Sequence, residues 1–348
     1  MQVIHSSTHL RHDPAVEAEH GFLVAHHELP SRAERVIAAL TADPTFTVDA
    51  PRAWGTAPIE AVHEPGLVRF LSTAWDDFQR TIRPQRDVFP DVFMHHSVRA
   101  GMEPLAEGRT NVLGDLAYWC FEMATPLVAG SYDAARAAVD VALSATALVL
   151  GGERTAFGNC RPPGHHAPRS AYGGFCYFNN AAIAAHHVAS TTGTRVTVLD
   201  VDYHHGNGTQ QIFYERDDVQ YVSLHGDPAR AYPYIVGFAD ECGAGRGRGH
   251  NLNLPLPERT NDADYLGALD QARAAVDTFD PALIVVSLGL DTYHNDPISD
   301  LALTADGFEA CGRAVAALDR PTVVLLEGGY DIDALGENVR RWLRGLAG

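Results

Sequence analysis

Three polar side chains stand at alternate positions near the middle of the chain. Asp200, Asp202 and His204 follow residues 196–199, an apolar run typical of a strand buried on both faces. Alternate residues of an extended strand project to the same side, so these carboxylates and this imidazole are expected on one face. A metal ion would compensate the crowding, and mixed oxygen and nitrogen ligands suit zinc or a similar transition ion. The stretch predicts a divalent-metal site, with a solvated polar loop as the alternative.

A pair of histidines and a tyrosine could complete such a site. His165 and His166 follow residues 162–164, two prolines and a glycine that stiffen the loop and let its backbone approach a ligand. Tyr330 follows two glycines after the apolar run 322–326, where a phenol could reach a developing oxyanion. Histidine is the commonest general base and tyrosine can donate to an oxyanion. These residue types indicate catalysis rather than metal binding alone.

A third metal ligand is predicted after another strand. Asp291 follows the apolar run 282–287. With Asp202 and His204 it would supply three protein ligands, which leaves positions open for water and a carbonyl oxygen. An open ligand set is typical of a catalytic metal site, because structural zinc sites are closed by four protein ligands.

Predicted strands and helices alternate along the chain without a linker or a repeat. The alternation favours an α/β fold, one domain over 1–348 that is doubly wound around a mainly parallel sheet. Ligands of such sheets bind beyond the carboxyl ends of the strands, where the groups above would meet. The first helix is expected to begin with a capping box of Ser31 and Glu34. Strands are expected near 3–4, 155–157, 196–199, 221–224, 282–287 and 322–326, and helices near 31–40, 131–150, 180–189, 261–279 and from 304.

Charge and cysteine usage bound the partners and the compartment. Lys+Arg of 26 against Asp+Glu of 44 gives a net charge of −18, which disfavours nucleic-acid and anionic-membrane partners and suits a cationic small substrate. Solubility alone is the alternative explanation of that charge. The 5 cysteines are scattered without a CxxC pair, so a cytoplasmic location is expected, without disulfides or a thiolate zinc site. Neither a signal peptide nor a membrane span is predicted.

Residues 84–126 differ in character from the rest of the chain. They carry four prolines and show only weak periodicity, so they are predicted to form a long loop insertion, and loops of this length are usually functional. Apolar residues at 92–94 and 116–119 indicate an interface. We expect a homodimer formed through this loop, which would also narrow the active-site entrance of the other subunit.

Six motifs in combination resemble those of one family. They are RPPGHHA (161–167), GGFCYFNNAA (173–182), LDVDYHHGNGTQ (199–210), SLHGDP (223–228), SLGLDTY (287–293) and EGGY (327–330). The combination resembles the zinc-dependent histone deacetylase family, and the flanking sequence is most similar to its acetylpolyamine amidohydrolase branch. The likeness runs over nearly the whole chain. It implies the arginase/deacetylase fold, one Zn²⁺ per chain and hydrolysis of an acylamide.

The same resemblance implies roles for further residues. Phe175 and Tyr232 match the aromatic walls of the family's substrate tunnel, and Arg32 matches an arginine of its inner product channel. Two structural sites for K⁺ or Na⁺ are implied as well. The first would use Asp200, Asp202, His204, Ser223 and Leu224, and the second would lie near Phe213, Arg216 and Val219.

The two histidines are not expected to be equivalent. The family pattern pairs His165 with Asp200, whose charge favours an imidazolium, and pairs His166 with the neutral Asn207. His166 is therefore predicted to be the general base and acid, with His165 as electrostatic support. Tyr330 is predicted to donate to the tetrahedral oxyanion.

The expected substrate is a small acylated amine. In acetylpolyamine amidohydrolases an acidic residue of the long loop meets the distal ammonium, and the matching position here is Leu113. Loss of that contact predicts activity on less charged acylated amines at least equal to that on acetylated polyamines. Folded acetylated proteins are expected to be weak substrates, because the loop restricts the entrance.

Three other functions stay open. The first is an acyl-lysine protein deacetylase. A binuclear manganese ureohydrolase on the same fold would need a second set of Asp and His ligands, which His165 and His166 do not supply at ligand spacing. An acyl-binding module without catalysis would be expected to lack Tyr330 or His166.

Overall fold

A computed structural model describes residues 1–102 and 109–348. In this part of the chain, eight strands form one parallel sheet in the order β4-β1-β5-β10-β9-β6-β7-β8, and β2 and β3 form an antiparallel hairpin. The strands are β1 (Gln2–Ile4), β2 (Val16–Glu19), β3 (Phe22–Ala25), β4 (Thr47–Asp49), β5 (Thr155–Gly158), β6 (Val196–Asp200), β7 (Val219–Gly226), β8 (Asn251–Leu256), β9 (Leu283–Leu288) and β10 (Thr322–Leu326).

Helices cover both faces of the sheet. They are α1 (Pro30–Thr41), α2 (Ala57–Glu60), α3 (Pro65–Thr81), α4 (Val112–Trp119), α5 (Ser131–Leu150), α6 (Asn180–Thr192), α7 (Asn207–Phe213), α8 (Asp262–Phe279), α9 (Ala305–Ala316) and α10 (Ile332–Ala347). Short 3-10 turns occupy Ser7–Arg11, His96–Arg99 and Gly245–Gly247. None of the helices in the described ranges is long and apolar enough to cross a membrane.

Two hydrophobic clusters lie on opposite faces of the central strands. Val323 and Leu325 of β10 pack into the first cluster, with α3, α5 and α6. Val324 and Leu326 of the same strand pack into the second, with α1, α8, α9 and α10. Alternate residues of a strand point to opposite faces, so a strand buried on both sides is apolar throughout. The prediction of a doubly wound, mainly parallel α/β fold is confirmed.

Two local predictions differ from the structure. The first helix begins at Pro30, and its N-cap residue Leu29 makes no side-chain cap bond, so the predicted capping box at Ser31 is wrong. Proline suits the first helical position, because that N–H has no partner within the helix. The segment 84–126 is not all loop: it contains α4, whose N-cap Asn111 accepts bonds from the backbone of its first turn.

Candidate active site

Two carboxylates and a histidine meet beyond the carboxyl ends of β6 and β9. Asp202, His204 and Asp291 are buried, and their ligand atoms all lie within 4.8 Å of one another. His204 Nδ1 is 3.4 Å from Asp202 Oδ1 and 3.0 Å from Asp291 Oδ2. We call these three side chains the metal group. The β6 strand ends at Asp200, so the predicted strand alternation does not place them: Asp202 and His204 lie in the loop beyond.

Backbone groups orient the ligands of the metal group. Asp202 Oδ1 accepts from His204 N at 2.9 Å, and its Oδ2 accepts from Gly328 N at 2.7 Å. Asp291 Oδ1 accepts from Tyr203 N at 2.9 Å. A Cβ added at Gly328 would lie 2.3 Å from Asp291 Oδ2 and 2.7 Å from Asp202 Oδ2. Glycine is therefore required here, because the backbone passes directly against both carboxylates.

The chemistry of the metal group fits a divalent cation. Burial and the charge of Asp202 raise the pKa of Asp291 to about 7. Burial opposes a charge on His204, but hydrogen bonds and charges from Asp202 and Asp291 outweigh it and raise the pKa of His204 to about 9. Two buried carboxylates thus retain a proton on the imidazole between them. A cation would replace that proton, and the two oxygens and one nitrogen are ligands that zinc accepts.

The two neighbouring histidines have different partners. His165 Nδ1 is 3.1 Å from Asp200 Oδ2, and the same oxygen accepts from the Tyr221 hydroxyl at 3.0 Å. His166 Nδ1 is 2.6 Å from Asn207 Oδ1. The orientation of the Asn207 side-chain amide is fixed, because its Nδ2 donates to the His166 carbonyl oxygen at 3.3 Å. His166 therefore donates from Nδ1, which leaves the lone pair on Nε2.

The electrostatic surroundings of the two histidines differ in the same sense. Burial lowers the pKa of His165, but the charges of Asp202 and Asp200 outweigh it and raise that pKa to about 10. Burial holds the pKa of His166 well below its ordinary value, and positive charge on His165 and His204 lowers it further. The centres of the His165 and His166 rings are 4.0 Å apart, so a positive charge on His165 disfavours a positive charge on His166.

Tyr330 lies at the end of the turn that follows β10. The Arg32 guanidinium is 4.7 Å from the centre of its ring, and Arg32 also donates to the carbonyls of Glu327 and Gly329 at 2.6 Å each. Burial raises the pKa of the Tyr330 phenol well above its ordinary value, so the hydroxyl stays protonated and can donate a hydrogen bond. Arg32 thus supports this turn, and its assignment to a product channel stays a prediction.

Two aromatic side chains flank the histidines and Tyr330. The Tyr232 ring meets the His166 ring edge-on at 4.9 Å, and the Phe175 ring is 5.7 Å from the Tyr330 ring. Phe175 has a left-handed φ of 65°, and its backbone N donates to Thr125 Oγ1 at 2.7 Å. The structure therefore brings both predicted tunnel residues to the site.

Leu113 has a different environment from the other predicted tunnel residues. It lies on α4 and packs, half-buried, against the first hydrophobic cluster. That packing is sufficient reason for an apolar residue at this position. A place for Leu113 beside the substrate stays a prediction.

The residues predicted to bind monovalent cations fall into two places. Asp200 pairs with Ser223 across β6 and β7, and Leu224 is the next residue of β7. Phe213 ends α7 and Val219 begins β7. Arg216 lies in the turn between those elements and donates from its backbone N to Phe213 O at 2.9 Å.

Three acidic residues near the site were not identified from the sequence. Glu327 accepts from the backbone N of Gly164 at 2.6 Å and of His165 at 3.1 Å, so it anchors the histidine loop. Glu122 accepts from Gly174 N at 2.9 Å, next to Phe175 in the chain. Asp296 accepts from the backbone N of the catalytic candidate Tyr330 at 2.7 Å. Glu327 opens the EGGY motif and could have been found there; the other two carry no local signal.

Two more clusters in the described ranges have ligand atoms as close together as those of the metal group. In one of them Glu28 already accepts from Arg32 and Arg161, each at 2.8 Å, which makes it a compensated ion-pair network. A binuclear centre would need a second set of ligands beside the metal group, because its two ions lie only about 3.5–4 Å apart. Neither of these two clusters shares a side chain with the metal group. Their members are His5, His9 and Glu34, and His12, His26 and Glu28.

Comparison with known proteins places this geometry in one family. The histone deacetylase domain matches residues 26–346. Acetylpolyamine amidohydrolase 2 of Pseudomonas aeruginosa is 40% identical over 348 residues, covering 100% of this chain and 99% of that protein. Acetylpolyamine amidohydrolase of Mycoplana ramosa is 38% identical over 357 residues, covering 100% of both chains.

A solved structure agrees with these relatives. The crystal structure of acetylpolyamine aminohydrolase from Burkholderia pseudomallei superposes with a TM-score of 0.93 at 39% identity, covering 100% of this chain and 98% of that one. The family is generally zinc-dependent, and this chain carries a buried group of metal-binding side chains. The chain therefore belongs to the histone deacetylase family and is an enzyme of the deacetylase/amidohydrolase class.

Proposed function

We propose that this protein is a zinc-dependent deacetylase of small acylated amines, with acetylated polyamines as the main substrate class. The observation that carries the proposal is the buried metal group beside two histidines with unlike partners, Asp200 and Asn207. The substrate class is supported by full-length relatives that are named acetylpolyamine amidohydrolases.

The metal group would hold one zinc ion per chain, through Asp202, His204 and Asp291. Bound there, zinc would polarise the acyl carbonyl and lower the pKa of a water toward about 7. Backbone N–H groups of Tyr203 and Gly328 hold the two carboxylates in place, which keeps them oriented whether or not a substrate is present.

His166 would move the protons of the reaction. Its Nδ1 donates to Asn207, so Nε2 is free to accept a proton from water and to return it to the leaving amine. A low pKa keeps Nε2 unprotonated before the reaction begins. Asn207 acts through His166 by setting which ring nitrogen carries the hydrogen.

His165 and Tyr330 would stabilise charge rather than transfer protons. His165, paired with Asp200, stays an imidazolium and balances the negative charge that forms next to it. Tyr330, kept neutral by burial, would donate its hydroxyl hydrogen to the oxyanion of the tetrahedral intermediate. Each of these two groups is present before substrate binds, so little reorganisation is needed during the reaction.

Two carboxylates lie near the aromatic walls, and both already have partners in the protein. Glu17 is buried, and its partner His26 lies 5.1 Å, ring to ring, from Phe175. Glu122 accepts from Gly174 N at 2.9 Å and from the Thr125 hydroxyl, and burial raises its pKa. We rank acetylated polyamines above neutral acylated amines because the full-length relatives are named acetylpolyamine amidohydrolases.

A substrate panel with purified zinc-loaded enzyme tests the proposal. It should contain N-acetylputrescine, N-acetylspermidine, an acetyl-lysine peptide and neutral N-butylacetamide, which matches acetylputrescine without its ammonium. We expect kcat/KM to be highest for the two acetylpolyamines. Equal values for N-butylacetamide would instead support the Leu113 expectation, and a preference for the peptide would support an acyl-lysine protein deacetylase.

Metal content tests the zinc centre separately. We expect one zinc per chain, and His204→Ala should remove both zinc and activity. Two tightly bound ions per chain would favour the ureohydrolase alternative. Structural K⁺ or Na⁺ at the two predicted places is part of the proposal, and dialysis against tetramethylammonium should lower Tm if those ions are bound.

We also propose a homodimer formed through residues 84–126. Val98 and Met102 expose 65% and 61% of their surface there, and Val92, Phe93 and Met94 are exposed as well. Exposed apolar residues clustered in one segment are typical of interfaces. A cytoplasmic location is proposed from the cysteines, all 5 of which are free.

A further inference from the structure

Asp296 is a buried acidic residue outside the metal group and the histidine pairs. It is 7% exposed and lies in the loop that follows β9 and Asp291. The loop is anchored: His294 N donates to Leu303 O at 3.0 Å, and Leu303 N donates to Thr292 O at 3.1 Å. Asp296 thus projects from a segment with its own backbone bonds.

The Asp296 carboxylate accepts three backbone hydrogen bonds. Its Oδ2 accepts from Tyr330 N at 2.7 Å and from Asp331 N at 3.3 Å, and its Oδ1 accepts from Ile298 N at 3.1 Å. Tyr330 and Asp331 immediately precede α10, whose positive end favours a nearby carboxylate. Bonds from N–H groups to a carboxylate are stronger than bonds to a neutral acceptor, so the Tyr330 amide is held firmly.

Other groups contact the turn before Tyr330 and the Tyr330 ring, but the backbone N–H of Tyr330 is bonded by Asp296. Arg32 donates to the carbonyls of Glu327 and Gly329. Gly329 has a φ of +121°, which other residues rarely adopt. Arg32 and Phe175 pack on the Tyr330 ring, whereas Asp296 fixes the backbone N–H from which the side chain starts.

We propose that Asp296 is a positioning residue for Tyr330, whose amide it holds so that the phenol is aimed at the metal group. The inference rests on the proposed function, in which Tyr330 donates to the oxyanion. A donor displaced by about 1 Å can cost about a hundredfold in rate. The oxyanion is absent from the bound substrate and develops in the transition state, so the loss should fall on kcat and leave KM unchanged.

Four enzymes assayed with N-acetylputrescine test this role: Asp296→Ala, Asp296→Asn, Tyr330→Phe and the double variant Asp296→Ala/Tyr330→Phe. Asp296→Ala should lower kcat by about tenfold to about a hundredfold, with zinc content and KM unchanged. Asp296→Asn keeps an oxygen acceptor and should recover most of the loss. Adding Asp296→Ala to Tyr330→Phe should lower kcat no further, because an absent donor cannot be misplaced.

Asp331→Ala is the matched control for stability. The Asp331 side chain caps α10 by accepting from Ala334 N at 3.1 Å, in the same turn. Its loss should lower Tm and leave kcat unchanged. If Asp296→Ala does not fold, Asp296→Ser takes its place, since the shorter hydroxyl side chain removes the carboxylate and keeps a polar group.

The outcomes separate the inference from the proposed function. Equal losses of kcat and Tm in Asp296→Ala and Asp331→Ala would overturn the positioning role, as would a kcat loss that multiplies with that of Tyr330→Phe. A large loss in Tyr330→Phe beside normal kcat in Asp296→Ala would overturn this inference alone. Normal kcat in Tyr330→Phe would overturn the donor role of Tyr330 and the positioning role with it.

Discussion

At the scale of single residues, the site separates two adjacent histidines by their partners. Asp200 and Asn207 are similar in size, but only Asp200 brings a full negative charge. The pKa of His165 is raised and that of His166 is lowered, although both rings are buried. A charged partner thus suits His165 to stabilise charge, and a neutral partner suits His166 to accept a proton.

The loss of kcat on replacing these residues should be larger for the residue that transfers the proton than for the residue that only orients it. His166→Ala should lower kcat by about 10²–10⁴, because it removes the proposed general base. Asn207→Ala should cost less, about 10–100-fold, because water can partly replace its oxygen. Steady-state kinetics with N-acetylputrescine measure both, and zinc content confirms that the metal group is intact. An Asn207→Ala loss larger than that of His166→Ala would contradict the assignment.

At the scale of elements, glycines let the turn after β10 lie against the metal group. Gly328→Ala would place a Cβ 2.3 Å from Asp291 Oδ2 and 2.7 Å from Asp202 Oδ2. We expect the variant to fold but to lose most of its zinc, since both carboxylates must shift. Metal analysis after gel filtration measures the loss. Gly267→Ala, in α8 with no atom within 4 Å of the added Cβ, is the control and should gain about 1 kcal/mol of stability.

The buried His63 links the N-terminus of α6 to the loop that follows the histidine pair. His63 Nε2 accepts from Asn179 N, the N-cap residue of α6, at 2.9 Å, and its Nδ1 donates to Pro168 O across 3.0 Å. Burial lowers its pKa from 6.5 to about 4. Between pH 6.5 and about 4, His63 is therefore protonated in the unfolded chain and neutral in the folded chain.

This difference predicts acid sensitivity with a definite sign. The His63 contribution to stability is full above pH 6.5, falls as the pH is lowered toward about 4, and is level below that. The total is roughly 3 kcal/mol. Urea unfolding at pH 7.5 and pH 5 should show a smaller change for His63→Gln than for the wild type. His20→Gln, at an exposed histidine, controls for the loss of a histidine as such; the same pH dependence in both variants would contradict the argument.

At the scale of the whole molecule, the proposed homodimer rests on the exposed apolar residues described within 84–102. Val98→Glu should weaken the proposed homodimer, because a charge would be buried at the interface. Leu150→Glu, at an exposed leucine that ends α5, should leave assembly unchanged. Sedimentation at micromolar concentration measures both. A wild-type protein that is monomeric under these conditions would rule out the dimer.

The net charge of −18 also acts over the whole molecule. It attracts cationic substrates over distance, but at about 0.1–0.15 M ionic strength salt largely screens that attraction beyond about 8–10 Å. Raising the salt concentration should therefore lower kcat/KM for N-acetylputrescine and leave that for N-butylacetamide unchanged, as steady-state assays can measure.

The sequence by itself determined the features that depend on neighbouring residues. The apolar strand β10 and the helices α8 and α9, which Asn261 and Thr304 cap, lie where they were predicted, because strand burial and capping involve residues a few positions apart. The motifs likewise identified the family and pointed to Asp202 and His204 as candidate metal ligands, since these residues stand close together in one motif.

Only the tertiary structure decided which distant groups support the site. Asp296 and Tyr330 are 34 positions apart, and Glu327 and Gly164 are 163 apart, so no local pattern marks these contacts. Short strands such as β4, with three residues, carry too little alternation to be recognised alone. They form because a neighbouring strand supplies hydrogen bonds, and the carboxylates find their partners only after the parallel strands have brought their carboxyl ends together.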